Sequence, residues 1–201
     1  MNAFKRLMTV SFCFLTACAP PKQMEEAPIN KVIPVQQRTT QTIQVTSWEI
    51  DGAIAAKNKS KGWSATLNWM QNGPNSYQIR LVGPLGSGSL LISKNGSMIT
   101  VHDGKNVTQS KNGEALLLQQ TGIRLPVNNL YYWVKGMAAP GKIQSEVRDQ
   151  YNHLIKLQQN GYLIEFNQYT SVKGIDLPSK IHLVGNGVSI KVIIKNWRIS
   201  K

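Results

Sequence analysis

From Thr42 to the C-terminus the sequence predicts a mainly β (α+β) fold: a strongly curved antiparallel sheet or barrel with two short helices midway along it. Three observations carry this expectation. Apolar residues alternate with polar ones in successive short runs, the period of a strand with one buried face. Asn72-Gly73-Pro74, Asn95-Gly96, Asp103-Gly104, Asn160-Gly161 and Asn186-Gly187 separate these runs; Asn, Asp and Gly tolerate the positive φ of tight hairpin turns. Ten or eleven strand candidates fit between residues 42 and 199. So many in succession favour a sheet that closes on itself over a flat one.

Before the strands come two segments of different texture. Lys5 and Arg6 precede a mostly apolar run from Leu7 to Leu15, and the small residues Thr16 and Ala17 follow. That is the pattern of a secretory signal, too short for a membrane span of ~20 residues. Residues 1–17 are therefore expected to be cleaved. Leu15-Thr16-Ala17-Cys18 resembles a bacterial lipobox, in which the cysteine becomes the lipid-bearing N-terminus. Ala19, rather than an aspartate, favours export to the outer membrane in the enterobacterial sorting rule. Residues 18–41 are read as a lipidated N-terminus and flexible tether, because Pro20, Pro21, Pro28 and Pro34 interrupt any helix and no apolar stripe is convincing.

The domain is assigned to residues 42–201. Trp63-Ser64-Ala65-Thr66-Leu67-Asn68-Trp69 alternates strictly, and Tyr77, Ile79 and Leu81 repeat the pattern. Tyr162, Ile164 and Phe166 do so again, as do Val188, Ile190, Val192 and Ile194. Glu114 to Thr121 follows Asn112-Gly113 and stops at Gly122, which reads as a short helix. Val127 to Lys135 reads as a second, started after Pro126 and stopped at Gly136. Lying midway in the strand series, the pair could cover one opening of a curved sheet. Gly83-Pro84-Leu85-Gly86-Ser87-Gly88 interrupts two apolar strands with one large side chain. Leu85 either folds back onto the core or projects as an apolar tip able to enter a membrane. Burying one leucine is worth ~1.5–3 kcal/mol, too little to anchor a protein but enough to bias one already tethered.

Composition narrows the function. The formal net charge is +13, and loss of Lys5 and Arg6 with the signal leaves +11. A secreted compartment and the lack of any recognition motif argue against nucleic acid. Anionic lipid headgroups or an acidic protein partner suit the charge. Cys13 leaves with the signal and Cys18 carries lipid, so no disulfide is expected within one chain and a hydrophobic core must supply stability. No catalytic constellation emerges. His102, His153 and His182 are scattered and read as surface residues. Gly86-Ser87-Gly88-Ser89 is not a nucleophile elbow, and the carboxylates show no paired spacing. No enzyme activity, metal or cofactor is expected.

The ordered stretches together resemble one family. They are Trp48 to Ala55, Trp63 to Trp69, Tyr77 to Leu91, Thr121 to Val127, Leu130-Tyr131-Tyr132-Trp133-Val134-Lys135-Gly136, and Ile190 to Trp197. With the lipobox, they resemble the LolB family over residues 45–200. The resemblance implies an incomplete β-barrel of about eleven strands with a helical lid over an apolar cavity for acyl chains. It implies a lipid-anchored monomer on the periplasmic face of the outer membrane. Such a protein takes lipoproteins from the periplasmic carrier LolA and delivers them to that membrane. Leu85, within Gly83-Pro84-Leu85-Gly86, matches the family's protruding leucine. Trp69 and Trp133 match cavity-lining aromatics, Tyr162 more loosely, while Trp63, Leu67, Ile79 and Leu81 share the inward faces; plain core packing is the alternative for each. Family members often carry a helix between anchor and first strand, which the prolines here leave in doubt. The competing reading is a scaffolding lipoprotein whose barrel is filled by side chains.

Overall fold

In a computed structural model, residues 26–200 are described; the signal segment and Cys18 lie outside them. Eleven antiparallel strands form one sheet. They are β1 (Ser47–Lys57), β2 (Gly62–Asn72), β3 (Ser76–Val82), β4 (Ser89–Asn95), β5 (Met98–Asp103) and β6 (Asn106–Ser110), then β7 (Ile143–Arg148), β8 (Leu154–Gln159), β9 (Tyr162–Val172), β10 (Ile175–Gly185) and β11 (Val188–Ser200). The spatial order is β6-β5-β4-β3-β2-β1-β11-β10-β9-β8-β7. Two meanders are thus joined along β1 and β11, while β6 and β7 remain unpaired with each other, so the barrel is incomplete. The chain crosses between those edges through α2 (Gly113–Thr121) and α3 (Val127–Trp133). Leu125, Val127, Leu130 and Val134 of this crossover pack over the inward face of the central strands, against Ile54, Trp69, Ile79, Ile92 and Val192.

Alternation builds the interior as the sequence predicts. Trp48, Ile50, Ile54 and Ala56 of β1 face inward, as do Leu67 and Trp69 of β2 and Tyr77, Ile79 and Leu81 of β3. On β11 the inward set runs Val188, Ile190, Val192 and Ile194, then resumes at Trp197 and Ile199. A bulge causes this change of parity: Asp51 pairs with Asn196 but Gly52 pairs with Ile194. Gly52 is required at that seam. A Cβ there would stand 1.9 Å from the Ile193 carbonyl oxygen. The turns follow the predicted chemistry, with Asn160 and Gly161 at φ 53° and 78°, and Asn186 and Gly187 at 48° and 76°. Lys173-Gly174 makes a further turn at φ 50° and 77° that the sequence did not announce.

Two expectations are corrected. A helix, α1 (Val35–Ile43), lies within the stretch read as tether, and the chain is docked from Glu26 onward. Glu26 bridges to Ser171, and the Ile29 amide donates to Asp176 Oδ1 at 3.0 Å. The helix escaped hydrophobic-pattern reading because its buried residues are Arg38 and Thr42. It docks through an ion pair rather than an apolar stripe. His153, expected at the surface, is buried at 5 % exposure. It is held between Asp149 and Asp176, partners that only the tertiary fold brings together.

Candidate functional site

A wholly apolar hollow lies between the central strands of the sheet and the helical crossover. Ile54, Leu67, Trp69, Ile79, Leu81, Ile92 and Val192 form its wall, and Leu125, Val127, Leu130 and Val134 its roof. The wall follows from period-two alternation on neighbouring strands: Trp69, Ile79 and Ile92 stand in register across β2, β3 and β4. The roof follows from helical spacing, since residues 127, 130 and 134 recur at three and four positions. Trp69 turns its only polar atom away, donating from Nε1 to Gln71 Oε1 at 2.9 Å. The hollow is nearly full as folded, about 20 Å³. That is room for about one water, whereas a drug-sized ligand takes ~300 Å³ or more.

Four of the seven expected cavity residues, Leu67, Trp69, Ile79 and Leu81, meet here. The other three do not line the hollow. Trp63 is half-buried and packs against the core. Trp133 is fully buried against the second meander, where Nε1 donates to Gln159 Oε1 at 3.1 Å and the ring meets Tyr162 edge-on at 5.5 Å. Gln159 also receives the Ala139 amide and donates to the Ala139 carbonyl. Trp133 therefore pegs the end of α3 to β8. The roof residues were missed as site residues, although the Val127, Leu130 and Val134 spacing was legible.

Besides the Trp133–Gln159 bond, two polar ties hold the helical crossover. Asn58, in the β1–β2 turn, donates from Nδ2 to the Gly122 carbonyl at 3.0 Å, at the C-cap of α2. Its Oδ1 accepts from the Ser60 and Lys61 amides, which fixes the side chain. Lys135, just beyond α3, is 3 % exposed. Its Nζ donates to the Val45 carbonyl at 3.1 Å and lies 4.2 Å from the centre of the Tyr131 ring. Burial lowers its pKa to about 8.

The Gly83-Pro84-Leu85-Gly86 loop projects from the end of β3 as a single 3-10 turn. Three backbone bonds close it: Gly83 N–H to Gly88 O, Gly86 N–H to Gly83 O, and Ser87 N–H to Pro84 O. Leu85 sits at its tip with φ 54° and 108 % exposure. A non-glycine residue in the left-handed region costs ~1–2 kcal/mol. The loop therefore spends conformational energy to hold a large apolar side chain in solvent, the projecting alternative of the two.

A third constellation fastens the N-terminal segment. Asp176 Oδ2 accepts from Arg38 Nη1 at 2.9 Å and lies 2.8 Å from His153 Nε2. His153 Nδ1 lies 2.9 Å from Asp149 Oδ2, and Tyr169 stacks on the imidazole at 4.6 Å. Burial pushes the His153 pKa down, but its bonds to Asp176 and Asp149 outweigh this and raise it. Burial likewise opposes ionisation of Asp176, yet its bonds to His153, Ile29 and Arg38 hold its pKa below the usual carboxylate range. Adjoining depressions of about 220 and 610 Å³ are larger than the apolar hollow, but Arg38, Lys135, Glu146 and Asp149 are among their linings. Such walls suit water better than an acyl chain. Among the described residues no cluster of His, Cys, Asp and Glu is arranged to hold a metal.

Comparison with known proteins gives one consistent result. The family model described as Outer membrane lipoprotein LolB matches residues 46–197. The Outer-membrane lipoprotein LolB of Coxiella burnetii (strain RSA 493 / Nine Mile phase I) is 37 % identical over 163 residues, covering 81 % of this chain and 77 % of that protein. The protein of the same name from Pseudomonas paraeruginosa (strain DSM 24068 / PA7) is 36 % identical over 159 residues, covering 79 % and 77 %. A crystal structure of a DUF1329 family protein from Desulfovibrio piger shares the fold, with a TM-score of 0.52 at 8 % identity, covering 83 % of this chain and 90 % of that one.

Proposed function

The chain belongs to the LolB family of outer-membrane lipoproteins, and from that premise we propose that it accepts lipoproteins from the periplasmic carrier LolA and inserts them into the inner leaflet of the outer membrane. A role in outer-membrane lipoprotein localisation follows from the family itself. The observation that carries the finer reading is the wholly apolar hollow roofed by a helical segment held by a few polar ties. An acyl chain entering it displaces the roof, and the apolar side chains that fill the interior then cover the chain instead. Transfer needs no covalent chemistry. Cargo moves from carrier to receptor to bilayer because each successive site binds the acyl chains more favourably. Cys18, once lipidated, holds the protein on the periplasmic face, and Leu85 lowers the barrier to delivery by entering the bilayer.

Purified chain should strip a lipoprotein from the carrier and pass it to vesicles. Leu85→Glu should accept cargo and fail to deliver it. Normal delivery by Leu85→Glu would remove the loop from the mechanism. The second reading, a scaffolding lipoprotein with a permanently filled barrel, draws on the 20 Å³ volume. It predicts no uptake of a fluorescent fatty acid at any concentration, whereas a displaceable roof predicts saturable uptake.

A further inference from the structure

Strand register places a set of lysines beside Leu85. Lys57 pairs with Gly62 across the first hairpin, so Lys57, Lys59 and Lys61 occupy the β1–β2 tip. Val82 pairs with Ser89, and Leu90 with Asp103, so the Leu85 loop and the β5–β6 turn bearing Lys105 lie at that same end. Because the hairpins are consecutive, the Leu85 tip stands between the two lysine-bearing tips. Sideways across the sheet, neighbouring tips are two strand spacings apart, roughly 10 Å; Thr66 pairs with Val82 and Gly62 lies four residues further along β2, so the lysine-bearing β1–β2 tip also reaches further along its strands. All four lysines are exposed, and none is in an ion pair among the described residues. Asp103 is the one acidic residue in these three connections.

We infer that this end of the barrel is a docking surface for anionic phospholipid bilayers, with Lys57, Lys59, Lys61 and Lys105 on headgroups and Leu85 below them. The inference rests on the reading that Leu85 enters the bilayer. A bilayer fits both features at once, since it offers a negatively charged layer over an apolar one. An acidic protein would satisfy the lysines but would need a preformed pocket for a leucine that stands clear of its own fold. Spacing near the Debye length lets the lysines act on the same patch of surface as the tip.

The test uses the chain from Ala19 to Lys201, which keeps every described residue but lacks the apolar signal and the acylated cysteine, sedimented with neutral phosphatidylcholine vesicles or with vesicles holding about 30 % phosphatidylglycerol. The parent should bind the anionic vesicles more tightly, and this excess should vanish near 0.5 M salt, where the Debye length is roughly 4 Å. Lys57→Gln/Lys59→Gln/Lys61→Gln should lose at least about 10-fold in binding to anionic vesicles while matching the parent on neutral ones, because each lysine near such a surface is worth about fivefold. Circular dichroism of these surface variants checks folding. Equal binding of parent and triple variant to anionic vesicles overturns the inference. So does a triple variant that binds vesicles normally but takes cargo more slowly from the carrier, which assigns the lysines to a protein partner. Leu85→Asn tests the underlying reading separately: it should weaken binding to neutral and anionic vesicles alike, and unchanged binding to neutral vesicles would sink the leucine while leaving the lysine comparison to stand or fall by itself.

Discussion

Replacing Asp176 by asparagine should cost about 3 kcal/mol or more of folding stability. The aspartate side chain is 0 % exposed and engages Arg38 Nη1 at 2.9 Å, His153 Nε2 at 2.8 Å and the Ile29 amide at 3.0 Å. Asparagine keeps the shape and one acceptor but removes the charge. Arg38, 10 % exposed, is then a buried cation without its anion. Breaking one side of a buried pair typically costs ~3–5 kcal/mol, and the isosteric amide recovers only part of it. Urea unfolding measures the loss against a total of ~5–15 kcal/mol. The pH profile adds a second reading. The Asp176 and Asp149 pKa values are lowered, so their stabilisation is present above the unfolded carboxylate value near ~4 and is lost as pH falls through the folded values. The His153 pKa is raised, so its contribution is full below ~6.5 and is lost as pH rises through the folded value. Parent stability should therefore be greatest between about pH 5 and 6.5, and Asp176→Asn should flatten both slopes. A loss below ~1 kcal/mol with an unchanged pH profile would refute the claim that this cluster fastens the N-terminal segment.

Other perturbations read different parts of the molecule. Gly52→Ala forces a Cβ to 1.9 Å from the Ile193 carbonyl oxygen and should destabilise by ~3 kcal/mol or more in urea, because both atoms belong to the seam joining the meanders. Leu85→Asn should hold or raise stability, by up to ~1 kcal/mol, because asparagine tolerates φ 54° better than leucine, while lipoprotein delivery falls. Asn58→Ala removes the bond to the Gly122 carbonyl, should cost ~1–2 kcal/mol, and should speed fluorescent fatty-acid uptake by loosening the roof. Uptake at the parental rate would separate that tie from cavity opening.

The count of ten or eleven strands, the inward faces of β2, β3, β9 and β11 and the two midway helices were legible because each leaves a local record. Alternation marks a half-buried strand, and Asn-Gly or Asp-Gly marks a tight turn. The Leu85 loop was legible as an anomaly, a lone large side chain among turn residues. Sequence alone left its direction open, since a leucine beside glycines can fold inward or outward. Residue spacing also could not sort the inward aromatics. Trp69 and Trp133 read alike, yet one lines the hollow and the other pegs α3 to Gln159.

What the sequence determined by itself is the periodic part: strand faces, turn positions and a basic surface, all set by residues within a few positions of one another. The tertiary structure decided the rest. Arg38, His153 and Asp176 are separated by more than a hundred residues at their extremes, and nothing local marks them as partners; pairing them lets a helix without an apolar stripe dock against the barrel. Register likewise gathers lysines from two hairpins around one leucine. Long-range proximity of this kind is fixed only when the sheet curls, because it depends on which strands become neighbours.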